Sequence, residues 1–571
     1  MAQKANHQNN AHVGTDAYKW LPAQYHLIIL TLISFLVYGA SLSNDFCWDD
    51  FAGIVKNTML NSKDTTLWEV TMTPLLEMFT PLTNALLYFN FLISHHDSQF
   101  YHFINLVIHI LVVTSLYKFI QHLTQANKLS FLTALIFAVH PINVEATAWI
   151  SARSTLLSDL FIVLSMIQYL KYLQTKKTLH YLLTLFIFML ACLSKTTAIV
   201  LAGLLLAIDI FYFSKITLNQ LLNKIPFLII GAFFIYYAIH IRYDENASAL
   251  YYGNYNSMDR VMISIYSFTH YILAFLLPIG LTCSAGLPIL TEHHLPIEFY
   301  ASVAVIPILI FLFIYFKKHR KNVIASYLFY FAAISPMLHF IPFGRDIVAD
   351  RYAYLPMMLF SFLAASFILK SYSHFKIQKR YNLNWFAPLV IAIIFTLAIG
   401  ANQRSLVWKN NTTLLSDAIA KKPDNYFPSY ALALYYIDNG MAEKSIPYFN
   451  LSLSKKADQA EAHYNRGLAY ALTGKNSQAQ DDFTKAIYLQ PNHALSYYNR
   501  GTLLGSMNRL LEAKNDLDSA IKYSPDYSDA YFNRGMASLA LGDTLSACSD
   551  WQISLTKGNE IAEARIQLHC Q

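Results

Sequence analysis

Charge is scarce in this chain: only 13% of its 571 residues are Asp, Glu, Lys or Arg, while 55% are apolar and 15% aromatic. Length alone would suggest three or four soluble domains of about 150 residues, but so little charge excludes that reading. With a mean hydropathy of +0.33, the chain reads as a polytopic membrane protein carrying a soluble appendage. Cysteine is also scarce. The five present show no CxxC spacing, which leaves no metal or redox motif. Cys548 and Cys570 pair if the tail is extracytoplasmic, and otherwise stand as two unpaired thiols. Missing too is a continuous basic face. The net charge is +7, yet residues 404–571 hold 17 basic and 17 acidic side chains, so the excess belongs to residues 1–403. There it sits in short loops between apolar runs, which argues against a nucleic-acid partner and for a lipid bilayer.

Residues 1–24 read as a cytoplasmic tail. The first apolar run, Tyr25 to Ser43, is followed by Asn and Asp in place of a small-residue cleavage site, so it reads as a retained signal anchor. Eleven further runs suit a core of about 30 Å, near 101–123, 129–149, 154–173, 179–194, 196–213, 225–241, 262–281, 297–316, 324–342, 352–371 and 385–402. Lysines and arginines at 118, 128, 171, 176, 177, 215, 224, 317–321 and 376–380 mark the cytoplasmic loops. Three runs lie between the loops at 215–224 and 317–321, so parity requires one of them not to cross. About eleven transmembrane helices then form a domain over 25–403. Its first outer loop is 44–100, with an interfacial helix pair at 74–94, and the chain emerges on the outer face after residue 402.

Beyond 403 the pattern becomes a repeat. Asn465-Arg466-Gly467, Asn499-Arg500-Gly501 and Asn533-Arg534-Gly535 recur at 34 residues, as do Ala479, Ala513 and Ala547. This is the tetratricopeptide (TPR) period, an α-solenoid of helix pairs. Clear repeats fall at 460–493, 494–527 and 528–561, and a degenerate one at 425–458, inside an extracytoplasmic domain 404–571. The expected fold class is therefore all-α throughout.

Candidate chemistry begins in the first outer loop, at Trp48-Asp49-Asp50. Adjacent carboxylates repel, so one should have a raised pKa, which suits a general base. The bland alternative is a hydrated loop that ends a helix. Further charges stand at the ends of apolar runs: His140-Pro141 through Glu145 to Arg153, Ser194-Lys195, Arg345, and Asp350-Arg351-Tyr352. An ionisable group at membrane depth costs roughly 2.5–3.5 kcal/mol, so such residues usually line a hydrated cavity. On this topology Glu145, Arg153, Lys195, Arg345 and Arg351 reach the same face as Asp49 and Asp50, a composition suited to a phosphate-bearing substrate. For any one of them alone, interfacial snorkelling is the simpler account. His109, inside an apolar run, reads as a packing histidine. In the repeats, Tyr464, Tyr498 and Tyr531 suit binding of a protein acceptor or envelope partner, although aromatics are also ordinary repeat core.

Taken in order, several of these motifs resemble the transmembrane and TPR repeat-containing O-mannosyltransferases and their bacterial relatives, members of the GT-C glycosyltransferases. They are Trp48-Asp49-Asp50 with Asn57, Tyr101-His102-Phe103-Ile104-Asn105, His140-Pro141 through Glu145 to Arg153, Ser194-Lys195, Asp350-Arg351-Tyr352-Ala353-Tyr354-Leu355-Pro356, and the terminal repeats. The resemblance implies transfer, with inversion, of mannose or a similar hexose from a polyprenyl-phosphate donor to a protein hydroxyl on the outer face. It implies Asp49 or Asp50 as base, with Asp49 the first choice. His140, Glu145, Arg153, Lys195, Arg345, Arg351 and Tyr352 would hold the donor's phosphate and sugar. Two positions depart from the family pattern: Thr80-Pro81 where Arg often precedes Pro-Leu, and Thr196 where Glu often follows Ser-Lys. A divalent metal is the less favoured reading, since Asp45 is the only further acid nearby in sequence. The expected location is a bacterial inner membrane with periplasmic repeats, or an endoplasmic reticulum membrane with lumenal repeats in a eukaryote. The main rival is a noncatalytic membrane-anchored TPR scaffold; a flippase of lipid-linked sugars is another, but it needs polar access from both faces.

Overall fold

The computed structural model describes residues 21–570 except 63, 77, 214, 244–254, 291–293, 339–345 and 378–384. Among these the chain is all-α, with one isolated bridge between Leu75 and Met78. Seven helices are long and apolar enough to cross a membrane: Ala23–Ser43, Ser98–Thr124, Ile150–Thr175, Leu218–His240, Ile297–Tyr315, Asp350–Phe375 and Phe386–Val407. Two shorter apolar helices, Thr178–Ser194 and Thr196–Tyr212, stand end to end at Lys195. The run at 129–149 is bent by 60° between Asn127–Val139 and Pro141–Ala148. The runs at 262–281 and 324–342 form the helices Ser257–Leu276 and Arg320–Ile334.

The bend follows from Pro141, which has no N–H to give and forces the preceding His140 into an extended conformation. Backbone groups freed inside an apolar bundle must find new partners. His140 Nδ1 caps the Ile142 N–H at 3.3 Å, and Asn143 Nδ2 donates to the Phe137 carbonyl at 2.8 Å.

Ile150–Thr175 is the central helix, with 83% of its apolar window buried, against 6% for Phe386–Val407 at the periphery. It packs on Ser98–Thr124 and Thr178–Ser194. The first loop carries two short helices, Thr58–Asn61 and Leu67–Met72, and then Pro81–Ser94, which packs against Thr178–Ser194.

After Asn411–Lys421 come four helix pairs: Tyr426–Asp438 with Ala442–Lys455, Ala460–Leu472 with Asn476–Leu489, Ala494–Ser506 with Leu510–Tyr523, and Ser528–Ala540 with Thr544–Thr556. Within each pair the chain turns on a left-handed residue, Gly440, Gly474, Asn508 or Gly542, again at 34-residue spacing. Gly535 allows the closest helix approach: a Cβ there would lie 2.6 Å from the Trp551 ring nitrogen. Ile561–His569 closes the solenoid, held by a Cys548–Cys570 disulfide.

Candidate functional site

The loop after the first apolar helix is stitched to the segment that follows the last one. Asn44 Nδ2 donates to the Ser405 carbonyl at 3.1 Å, Asp45 N–H to that of Lys409 at 2.8 Å, and Trp48 N–H to Asn411 Oδ1 at 2.6 Å. Trp48 has φ 54°, a left-handed conformation that a bulky side chain adopts only when its surroundings hold it. Its ring stacks on Trp149 at 5.7 Å, which stacks on Trp408 at the same separation.

The two aspartates that follow have different settings. Asp49 is half-buried, whereas Asp50 is buried and takes three donors: Cys47 N–H at 3.0 Å, Ser151 N–H at 2.9 Å and Ser151 Oγ at 2.5 Å. Burial pushes the Asp50 carboxyl up to about 7; the neighbouring Asp49 charge adds to the rise and the three hydrogen bonds oppose it. Asp50 thus fastens the loop to the Ile150–Ala152 turn, and Asp49 is the more accessible of the pair.

The charges at the helix ends separate into three groups. Lys195, Arg351 and Tyr352 line one small pocket, together with Thr155 and Asp159. Lys195 Nζ donates to Thr155 Oγ1 at 2.7 Å and lies 5.9 Å from the Tyr352 ring centre. Glu145 stands behind this cavity, its buried carboxylate ion-paired with Arg351. The Arg351 guanidinium lies 4.7 Å from the Tyr352 ring and 5.1 Å from Trp149. Through Trp149 and Trp48, cavity and aspartate loop are therefore parts of one contiguous packing unit.

Arg153 and His140 are not part of that group. Arg153 is completely buried, its Nε donating to Asn105 Oδ1 at 2.7 Å and its Nη2 to the Tyr101 carbonyl at 2.8 Å. His140 stacks on Phe275 at 5.1 Å, with Nε2 3.0 Å from the Phe275 carbonyl. Both hold helix ends in place. Arg345 lies outside the described residues. His109 packs between Tyr38 and Phe137, with Nδ1 2.7 Å from the Tyr354 hydroxyl.

Sequence reasoning passed over Asp159, although it stands four residues after Thr155 and so on the same helix face, a signal the sequence contains. It also passed over the relay that runs outward from the buried Asp350. Arg404 lies 4.0 Å from Asp350 and 2.5 Å from Asp417, and Asp417 pairs with Lys421 at 2.8 Å. The two departures from the family pattern fall at touching helix ends: Thr80 precedes Pro81–Ser94, and one turn later Thr83 donates to the carbonyl of Ser194, just before Lys195 and Thr196. Among the described residues no three His, Cys, Asp or Glu side chains are grouped to hold a metal ion.

In the repeats the tyrosines are engaged with neighbours. Tyr464 and Tyr498 accept hydrogen bonds from Asn499 and Asn533 of the following repeats, both at 3.1 Å, and the Tyr531 ring lies under Arg534 at 5.5 Å. The arginines of the recurring triplet form two-pronged pairs across each helix pair: Arg466 with Asp482, Arg500 with Asp516 and Arg534 with Asp550, at 2.6–2.9 Å.

Two family models, each described as tetratricopeptide repeat, match residues 460–493 and 498–552. A protein O-mannosyl-transferase of Caenorhabditis elegans is 25% identical over 451 residues, which make up 74% of this chain and 62% of that protein. Protein O-mannosyl-transferase TMTC1 of Homo sapiens is 29% identical over 33% of this chain and 24% of its own length. The chain thus spans less than two thirds of these relatives. The solved structure of MamA is 24% identical and covers 26% of this chain and 88% of its own, with a TM-score of 0.25. The chain is an all-α membrane protein with a tetratricopeptide-repeat region, and it is similar to the protein O-mannosyl-transferases.

Proposed function

We propose that the chain is a GT-C type glycosyltransferase that moves mannose or a similar hexose from a polyprenyl-phosphate donor to a protein hydroxyl, on the outer face of its membrane and with inversion. The observation that carries this reading is the packing of a Lys195–Arg351 cavity against the loop that presents Asp49. The disulfide in the repeats supports an extracytoplasmic position for them, since such bonds persist in oxidising compartments.

In this reading Asp49 takes the proton of the acceptor hydroxyl as its oxygen bonds to the sugar's anomeric carbon. The bond from that carbon to the lipid phosphate breaks, and the phosphate leaves with the electron pair. Lys195 and Arg351 offset its charge, so no general acid is needed. Each cation has an acid beside it, Glu145 at Arg351 and Asp159 at Lys195. Asp50 acts through the loop as a positioning residue.

The test is sugar transfer from polyprenyl-phosphate mannose into protein, in membranes of cells lacking the chain and complemented at equal expression. Asp49→Asn should lower transfer by roughly 10²–10⁴-fold, the usual contribution of a positioned base, with expression and unfolding midpoint unchanged. Transfer by Asp49→Asn at the wild-type rate would put the base elsewhere. If the wild-type chain restored no transfer with any lipid-linked donor, the scaffold reading would take its place.

A further inference from the structure

Asp159 stands on the helix Ile150–Thr175 one turn after Thr155, lines the pocket with Lys195, Arg351 and Tyr352, and is only 6% exposed. The Lys195 charge acts on it. Yet among the described residues its carboxylate accepts no hydrogen bond and forms no ion pair. Lys195 instead donates to Thr155 Oγ1 at 2.7 Å, and Arg351 pairs with Glu145. Asp209 shows what a structural acid of this bundle looks like: fully buried, it accepts from Tyr169 Oη at 2.7 Å and from Lys224 Nζ at 2.5 Å. A buried carboxylate without such partners is costly, and at membrane depth it marks a place where a substrate is handled.

The rest of the pocket is walled by Ile162, Val200, Ala333, Met337 and Leu355, so charges inside it act on one another with little screening. Lys195 and Arg351 are balanced by Glu145 and Asp159, and the four side chains sum to zero. In such a pocket nothing offsets the extra cost of taking a second charge out of water. The proposed reaction supplies that second charge. A sugar linked to polyprenyl phosphate is a phosphodiester with a single negative charge. When the bond to the anomeric carbon breaks, the phosphate keeps the electron pair and becomes a monoester, whose second ionisation lies at a pH of about 6. The acceptor's proton goes to Asp49, so the spent phosphate is left as a dianion.

We propose that Asp159 makes the pocket select by charge: it admits a phosphodiester monoanion and opposes the phosphomonoester dianion, so that the spent lipid phosphate is expelled after transfer. This rests on the reading of the pocket as the donor's phosphate site. The same residue would exclude donors linked through a diphosphate, which carry two charges before any transfer.

The test is binding to the full chain in lipid nanodiscs at pH 8, where carboxylate and phosphomonoester are both ionised. The probes are farnesyl methyl phosphate, with one charge, and farnesyl phosphate, with two, each corrected for partition into empty nanodiscs. The wild-type chain should hold the methyl ester about tenfold more tightly, since one like charge close by commonly shifts an ionic equilibrium by that factor or more. Asp159→Asn should raise the affinity for farnesyl phosphate to that of the methyl ester or beyond, with the unfolding midpoint no lower than that of the wild type. In sugar transfer it should lower kcat and KM together and make polyprenyl phosphate a stronger inhibitor, a pattern that a residue supporting only the fold would not give. Lys195→Met should lose both probes. Equal binding of the two probes by the wild-type chain overturns the proposal, as does a preference that survives in Asp159→Asn. If Asp159→Asn instead weakened polyprenyl-phosphate mannose and left farnesyl phosphate unchanged, Asp159 would read the sugar and the charge proposal would fall. Binding of both probes that Lys195→Met did not disturb would sink the phosphate-site reading itself.

Discussion

The membrane half and the solenoid use arginine in opposite ways. In the solenoid one arrangement is made three times, with Arg466, Arg500 and Arg534 each gripping an aspartate sixteen residues on, at 7–11% exposure of the acid. Three described arginines of the membrane half each have a different setting. Arg153 binds a carbonyl and an amide, Arg351 a glutamate and two aromatic rings, and Arg404 two aspartates from different helices. The reason is the surroundings. A solenoid is a one-dimensional stack in which each unit meets the same neighbours, whereas an apolar bundle must satisfy every charge locally, with whatever groups the crossing helices bring. Repetition marks structural roles in the first case; in the second, structural and functional charges look alike until their partners are known.

The sharpest way to break this contrast is to remove the two membrane-half cations that looked equivalent in the sequence. Arg153→Met leaves the Asn105 amide oxygen and the Tyr101 carbonyl without their donor in a dry interior. It should cost roughly 1–3 kcal/mol for each buried acceptor left unpaired, and appear as loss of folded protein in a fluorescence-detected size-exclusion profile. Lys195→Met should leave that profile intact and abolish sugar transfer. Similar folding losses in both variants would mean that the cavity cation is structural as well.

A smaller effect is expected in the solenoid, and there uniformity is the point. Arg466→Gln, Arg500→Gln and Arg534→Gln each remove a charge-assisted fork, worth about 1.5–3 kcal/mol. The three should lower the solenoid's chemical-denaturation midpoint by similar amounts. Each arginine also donates sixteen residues back, Arg466 to Asn450, Arg500 to Thr484 and Arg534 to Asp518; only Arg534 meets an acid there, so it should be the most costly of the three. A spread as wide as that between Arg153 and Lys195 would show that the repeats are not equivalent units.

How much of this was legible follows the same division. The 34-residue period located the helix pairs, because Gly467, Gly501 and Gly535 stand where helices approach closely and any side chain would collide. The apolar runs placed most membrane helices, and the break at His140-Pro141 followed from proline chemistry. Charged residues at helix ends drew attention to Lys195, Glu145, Arg351 and Tyr352, which the fold brings close together. The same rule also selected Arg153 and His140, which bind the Tyr101 and Phe275 carbonyls, backbone groups that leave no mark in a sequence, and in the case of Arg153 the Asn105 side chain as well. Asp159 went unnoticed although an acid inside an apolar run, one turn after Thr155, is itself a signal of a polar cavity.

The smallest effect is one of sign. The raised Asp50 carboxyl, near 7 against an ordinary 3.8, favours its protonated form in the folded loop. The stability it contributes is complete below its unfolded value and is lost as pH rises through about 7. Asp482 has the opposite balance: burial raises it, but the Arg466 fork and His463 outweigh burial and hold it below its ordinary value. Its contribution is present above about 4 and is lost as pH falls further. Hydrogen exchange should therefore show the Asn44–Phe51 loop loosening progressively between about pH 4 and 7 while the repeat helices stay protected, and the repeats loosening only in stronger acid. Asp50→Asn should flatten the first transition and leave the second alone. Asp49→Asn removes the neighbouring charge that raises Asp50, so it should move the first transition to lower pH. If the transition stayed in place, the two aspartates would be electrostatically independent, and Asp49 would owe nothing to its neighbour beyond the loop geometry they share.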